Sequence, residues 1–153
     1  MASKSSKVFG FGPGWNYQVG CCVTSRETYR AGRLKNKNGA KILVIDDNSV
    51  VRDVVSRMLS LLGHEVSSAD SGEKGLSIFL ENIFDIVLSD YEMPGMDGVA
   101  LACRVKISAP CTLVIIRTGA GRDTVFSRKS TAVDQVISKP FTLEEIDETL
   151  QGL

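Results

Sequence analysis

The sequence has no long hydrophobic run. None of its apolar stretches approaches the roughly 20 residues that a membrane-spanning helix needs. The sparsely charged segment from Val8 to Cys22 is interrupted by glycine, proline and asparagine. These features exclude a spanning helix and disfavour a signal peptide, so we expect no membrane partner.

Cysteine and histidine are scarce, with four and one in 153 residues. No CxxC pair or Cys/His cluster indicates a zinc site. Cys103 and Cys111 fall in apolar stretches, and we interpret them as small core residues of a reduced, cytoplasmic protein. The single histidine, His64, follows Gly63 and is interpreted as an exposed turn residue rather than a ligand.

The formal net charge of zero conceals an uneven distribution. Residues 1–40 carry seven basic residues and one acid, a net charge of +6, which leaves −6 for residues 41–153. The first segment is rich in Gly, Ser and Lys and shows no periodicity, so we expect a flexible N-terminal extension. Its charge could attract nucleic acid or an acidic partner, but a solubilising role is favoured and nucleic acid is not an expected partner.

From Lys41 onward, short apolar runs alternate with segments of helical period, which is typical of strand-helix units around a parallel sheet. We predict an α/β fold of the (βα)5 type, with one domain over residues 41–153. The predicted strands are Lys41–Ile45, Glu65–Ala69, Asp85–Ser89, Thr112–Arg117 and Gln135–Ile137. The predicted helices run from about Val50 to Leu62, Gly72 to Glu81, Gly98 to Ile107, Arg122 to Ser130 and Thr142 to Leu150.

Polar residues follow four of these strands: Asp46 and Asp47 after the first, then Asp90, Thr118 and Lys139. Ligands of such sheets bind outside the carboxyl ends of the strands, so these side chains should converge. Three clustered carboxylates repel one another unless a positive charge lies among them. Mg²⁺, held by carboxylates, a carbonyl and water, would supply that charge, and one carboxylate could then attack a phosphoryl group.

Four separated segments, in order and at matching spacing, carry a family resemblance: VIDDN (residues 44–48), SDYEMPGMDG (89–98), RTGA (117–120) and SKPF (138–141). The sequence resembles the response-regulator receiver domain of bacterial two-component systems over residues 41–153. The resemblance implies a flavodoxin-like, doubly wound parallel sheet of order 2-1-3-4-5. It also implies a stand-alone, cytoplasmic phosphoprotein rather than an enzyme, since we expect no output domain after Leu153.

The resemblance implies a role for each matching residue. Asp90 would be the phosphoacceptor, taking the phosphoryl group from a phosphohistidine of a sensor histidine kinase or a phosphotransfer domain. Thr118 and Lys139 would bind the phosphoryl group. Asp47, Asp90 and the Glu92 backbone carbonyl would hold Mg²⁺, with Asp46 acting chiefly through water. The loop and switch positions would be Met93, Pro94, Gly119, Val136 and Pro140, the last after a cis peptide, while Asp97 would cap the third helix.

Two positions depart from the family pattern. Val136 stands where an aromatic commonly reports phosphorylation, and Arg117 is charged where an apolar strand residue is usual. We therefore expect the end of the fourth strand to be exposed or paired with an acid. We also hypothesise an unusual output face that orders on binding a downstream protein or, on phosphorylation, a second copy of the chain.

Two other classes remain open at this point. A pseudo-receiver would keep the fold as a protein-binding module and signal without phosphorylation. An enzyme on the same fold, a phosphatase or a flavin protein, should carry an Asp-x-Asp-x-Thr motif or a Ser/Thr/Gly-rich phosphate loop after the first strand. The sequence Asp46-Asp47-Asn48-Ser49 at that place matches neither motif.

Overall fold

The computed structural model describes residues 39–119 and 131–153 as five strands and four helices. The strands are β1 (Lys41–Ile45), β2 (Glu65–Ala69), β3 (Ile86–Asp90), β4 (Leu113–Thr118) and β5 (Gln135–Ser138). The helices are α1 (Ser49–Leu61), α2 (Gly72–Glu81), α3 (Gly98–Ser108) and α4 (Leu143–Gln151). None of the helices in these two ranges combines the length and apolar character that a membrane crossing needs.

The strands form one parallel sheet in the order β2-β1-β3-β4-β5, as predicted. Alternate residues of β1 enter two separate cores, because successive side chains of a strand point to opposite faces. Leu43 and Ile45 pack with residues of α2 and α3, whereas Ile42 and Val44 pack with residues of α1 and α4. Helices therefore cover both faces, which explains why β1, β3 and β4 are near-continuous apolar runs.

Two of the five predicted strands match the observed bounds, and α2 does as well. The third and fourth strands each begin and end one residue later than predicted. At their ends, β3 pairs with β4 as far as Asp90, and β4 pairs with β5 as far as Thr118. Gly63 follows α1 with φ +88°, the left-handed conformation expected after a helix end. The predicted helix from Arg122 to Ser130 and the extension before residue 39 lie outside the described residues.

Side-chain caps begin helices α1, α3 and α4, and the Asp97 cap among them was predicted. The Asp97 carboxylate accepts the Ala100 N–H at 2.7 Å at the start of α3. Thr142 and Glu145 form the reciprocal capping box at the start of α4. Asn48 caps α1 by accepting the N–H groups of Val50 and Val51. These caps fix where each helix leaves the carboxyl edge of the sheet.

Two expectations about single residues are wrong. Cys103 is exposed rather than buried, because it lies on the outer face of α3. His64 is half-buried, and its Nδ1 atom accepts the Ala40 N–H at 3.0 Å. The histidine therefore joins the α1–β2 turn to the residue before β1, instead of lying free in solvent.

Candidate functional site

The polar residues at the strand ends converge on the carboxyl edge of the sheet, as predicted. Asp46 follows β1, and Asp90 is the last residue of β3. Thr118 ends β4, and Lys139 follows β5. Because β1, β3, β4 and β5 are consecutive neighbours in the sheet, these four positions form one row along its edge.

Three carboxylates form the centre of this edge. Ligand oxygens of Asp46, Asp47 and Asp90 all lie within 4.8 Å of one another. Asp46 and Asp90 are buried, whereas Asp47 is exposed. Clustered carboxylate oxygens at the end of a sheet suit a hard divalent cation such as Mg²⁺, which prefers oxygen ligands and keeps several waters. The exposed position of Asp47 leaves room for such waters.

Lys139 supplies positive charge on the other side of Asp90. Its Nζ atom lies 2.7 Å from Asp90 Oδ2, and its side chain is 32% exposed. The second carboxylate oxygen, Oδ1, accepts the Tyr91 N–H at 2.8 Å. Lys139 itself is anchored by its backbone N–H, which donates to the Thr118 carbonyl at 2.8 Å. The Lys139–Pro140 peptide is cis, as expected.

Arg117 is paired with an acid, which confirms one of the two expectations for it. Its guanidinium is fully buried, and Nη2 donates to Asp46 Oδ2 at 2.6 Å. The Cζ atom lies 5.8 Å from the centroid of the Phe141 ring, within reach of a cation–π interaction. The expectation that the end of β4 is exposed is wrong, since all six of its residues are buried.

A second arginine at the site was missed by the sequence reasoning. Arg52 Nη1 donates to the backbone carbonyl of Asp46 at 2.7 Å from the first turns of α1. The one feature of the sequence that could have indicated this contact is the position of Arg52, six residues after Asp46 on a capped helix. Asp46 is therefore held by two arginines and by the Asn48 N–H, which donates to its Oδ1 at 2.8 Å.

The loop after β3 is fixed by close backbone packing. A Cβ atom at Gly98 would collide with the Asp90 carbonyl oxygen, so only glycine lets α3 start this close to the acid. Gly95 has φ +79°, and the Met96 N–H donates to the Glu73 carboxylate at 3.0 Å. Met93 is buried in the core, and Pro94 and Glu92 are exposed.

The remaining switch positions differ in their surroundings. A Cβ atom at Gly119 would meet no atom of the described residues within 4 Å, so nothing in them requires glycine there. Val136 is buried in the core that contains α2 and α3. A buried valine has no ring that could move between an inner and an outer position.

Comparison with known proteins agrees with this geometry. A family model described as the response regulator receiver domain matches residues 42–151. The chemotaxis protein CheY-3 of Vibrio cholerae is 33% identical, over 78% of this chain and 95% of that protein. The sensor histidine kinase RcsC of Escherichia coli is 35% identical over 76% of this chain, which spans only 12% of the kinase.

A solved structure extends the comparison to the fold. The response regulator protein TrrA of Thermotoga maritima, in complex with Mg²⁺-BeF, superposes with a TM-score of 0.68 at 29% identity. The match covers 74% of this chain and 97% of that one. The family model and the similar chemotaxis protein lead to one conclusion: this chain belongs to the response-regulator receiver domain family.

Proposed function

We propose that Asp90 accepts a phosphoryl group from a phosphohistidine and that Lys139 and Thr118 bind that group. The observation that carries the proposal is the 2.7 Å contact between Lys139 Nζ and Asp90 Oδ2 beside two further carboxylates. An ammonium at that distance can neutralise charge on a phosphoryl group attached to Asp90. Thr118 lies between the two residues along the sheet edge, where its hydroxyl can donate to a phosphoryl oxygen.

The transfer forms one bond and breaks another. A carboxylate oxygen of Asp90 attacks the phosphorus atom, and the bond between phosphorus and the donor imidazole nitrogen breaks. The electron pair leaves with the imidazole nitrogen. Lys139 keeps its proton throughout and acts as a positive charge, so the step needs no base from this chain.

The carboxylates of Asp47 and Asp90, with the Glu92 backbone carbonyl, are proposed to hold Mg²⁺, and Asp46 to act mainly through water. Bound there, Mg²⁺ would offset negative charge on the phosphoryl oxygens and the carboxylates. The Mg²⁺-BeF complex of TrrA supports this assignment, because that relative shares the fold. Met93, Pro94, Gly119 and Pro140 would shape the entrance around it.

The phosphodonor is proposed to be a sensor histidine kinase or a phosphotransfer domain that docks on α1. Val50 and Val54 are 69% and 46% exposed on this helix, which begins beside Asp46 and Asp47. An apolar surface next to the acids would place a phosphohistidine above Asp90. Val54→Asp should slow transfer from a phosphorylated phosphotransfer domain and leave labelling by acetyl phosphate unchanged.

The proposed phosphodonor also indicates a role, a location and an output for the chain. Members of the receiver family are signalling proteins, and we propose that this chain assists its own phosphorylation and dephosphorylation without acting on other substrates. We place the activity in residues 41–153, in the cytoplasm, with residues 1–40 as a separate extension. The output would be altered binding of a downstream protein or pairing with a second copy of the chain.

The pseudo-receiver alternative is not favoured, because the acids and the lysine of the site are all present and converge. Because Val136 is a buried valine, we propose that phosphorylation changes the partner-binding surface without the rotation of an aromatic side chain. Hydrogen exchange with and without a phosphoryl mimic tests this proposal. Equal protection of the segment from Arg122 to Ser130 in both states would refute ordering of that segment.

Intact mass after incubation with Mg²⁺ and acetyl phosphate tests the proposal. The wild-type chain should gain one phosphoryl group, and Asp90→Asn should gain none. Asp70→Asn is the matched control, since Asp70 is an exposed acid directly after β2. Labelling of Asp90→Asn at the wild-type level would refute the assignment, and so would loss of labelling in Asp70→Asn alone.

A further inference from the structure

Arg117 is a buried cation that the proposed phosphoryl transfer does not use. Its neighbours in β4, Leu113 and Ile115, pack in the core formed with α1 and α4. Side chains of a strand alternate in direction, so Arg117 projects to the same face as these two residues. Arg117 contacts Asp46 from the face of the sheet that also contains Phe141. It does not approach from the exposed side, where Asp47 lies.

The arginine depends on Asp46 for its neutralisation. Within the described residues, its Nε and Nη1 atoms have no hydrogen-bond partner, and the bond from Nη2 to Asp46 is its only ion pair. A guanidinium is charged at all physiological pH values, so burial without Asp46 would be strongly unfavourable. Asp46, which is 1% exposed, has the same need for Arg117. Each group is therefore the counter-ion of the other.

This pairing changes the charge that a metal ion encounters. Lys139 offsets Asp90, and Arg117 offsets Asp46, so Asp47 is the one acid of the cluster without a cation in direct contact among the described residues. With an apolar residue at position 117, the same cluster would carry one more negative charge. A divalent cation would then bind more tightly, because opposite charges in a shared pocket attract.

We propose that Arg117 is a built-in counter-ion that positions Asp46 and lowers the affinity of the acidic site for Mg²⁺. It also keeps the site assembled without the metal, because Asp46 has a charged partner in either state. The inference rests on the proposed magnesium site and adds a residue that sets its affinity. Arg117 is a positioning residue, since it contacts Asp46 and not the phosphoryl group.

The test combines thermal unfolding of the full chain, followed by circular dichroism, with a calorimetric Mg²⁺ titration of the folded chain. Arg117→Met removes the charge and keeps much of the buried volume. Without Mg²⁺ the variant should unfold at a lower temperature than the wild type, since Asp46 loses its partner. The midpoint of the calorimetric titration, the Mg²⁺ concentration at half-saturation, should fall by about tenfold or more, because one nearby charge typically changes such an equilibrium by about one to three powers of ten.

Lys106→Met is the matched control. Lys106 is a largely buried cation of α3 paired with Asp134, which precedes β5 at the opposite edge of the sheet. This variant should also lose stability, but its Mg²⁺ midpoint should equal that of the wild type. Arg117→Lys, which retains the charge, should restore a midpoint near the wild-type value.

The outcomes separate this inference from the proposed function. Equal Mg²⁺ midpoints for wild type and Arg117→Met would overturn the role of Arg117 and leave the magnesium site intact. Absence of any Mg²⁺ effect on both proteins would overturn the magnesium site itself. If Arg117→Met folds only with Mg²⁺, the proposal is supported, because the metal then supplies the positive charge that Arg117 supplies in the wild type. A variant that stays unfolded in saturating Mg²⁺ would contradict the proposal, because the metal should replace the missing charge.

Discussion

Asp46 and Asp47 are neighbours in the chain, yet they lie in different surroundings. Asp46 is buried and bonded to Arg117 and to the Asn48 N–H, whereas Asp47 is exposed. The sequence predicts that both acids lie at the end of β1, because they directly follow its apolar run. Which of the two meets Arg117 could not be predicted, since a long arginine side chain crosses from β4 past β3 to reach β1.

Lys139 is the residue for which substitution should affect the chemistry most selectively. Lys139→Met removes the ammonium that lies 2.7 Å from Asp90 Oδ2, and the rate of phosphorylation by acetyl phosphate should fall by about a hundredfold or more. The rate is measured by intact mass over time. Lys74→Met is the control, since Lys74 forms a similar but exposed pair with Asp70. Equal rates for Lys139→Met and Lys74→Met would show that Lys139 has no role in phosphorylation.

At the scale of elements, the residues that begin helices could be predicted from the sequence. The face of α3 that is buried could not. Asp97 and Thr142 identify the starts of α3 and α4 because their side chains accept hydrogen bonds from the first turn. In α3 the run Gly98 to Cys103 is entirely apolar or small. Such a run does not reveal which face is buried, and the prediction for Cys103 was wrong for this reason.

The turn between α1 and β2 should make stability depend on pH through His64. Burial lowers the pKa of His64 below 6.5, and the nearby Asp147 opposes this effect only in part. The unfolded chain therefore binds a proton at a higher pH than the folded chain does. Stability should be independent of this group above pH 7 and should decrease as the pH falls through 6.5 toward the lower folded pKa.

Urea unfolding between pH 8 and pH 5 measures this dependence. His64→Gln removes the titrating group, so the difference in the free energy of unfolding between wild type and variant should change below pH 7 and not above it. Protonation would also cost the hydrogen bond from the Ala40 N–H to Nδ1. A difference that is the same at every pH would contradict the lowered pKa.

For the whole molecule, the alternation of strand and helix patterns was sufficient to predict the five-stranded parallel sheet and the edge at which the acids meet. Helices cover both faces of a parallel sheet, so the buried strands read as short apolar runs that are easily recognised. Specific contacts across the sheet were beyond this reasoning. The Arg117–Asp46 pair joins residues 71 positions apart and depends on side-chain direction as well as strand order.

The uneven charge of the chain leads to a prediction about residues 1–38. We expect the chain that lacks them to keep its unfolding temperature and its labelling by acetyl phosphate. The reason is that the described residues, which begin at position 39, already supply the three acids of the site and the two cores. Thermal unfolding and intact mass of the shortened chain provide the measurement. A lower unfolding temperature or slower labelling would assign the extension a part in the fold or the site.

The most direct test of phosphorylation at Asp90 is to locate the acyl phosphate chemically. Borohydride reduces an aspartyl phosphate to homoserine, which peptide mass spectrometry places in the sequence. After incubation with Mg²⁺ and acetyl phosphate, we expect homoserine at position 90 and aspartate at positions 46 and 47. Homoserine at either of those two positions, or at none of the three in a chain that has gained a phosphoryl group, would contradict Asp90 as the phosphoacceptor.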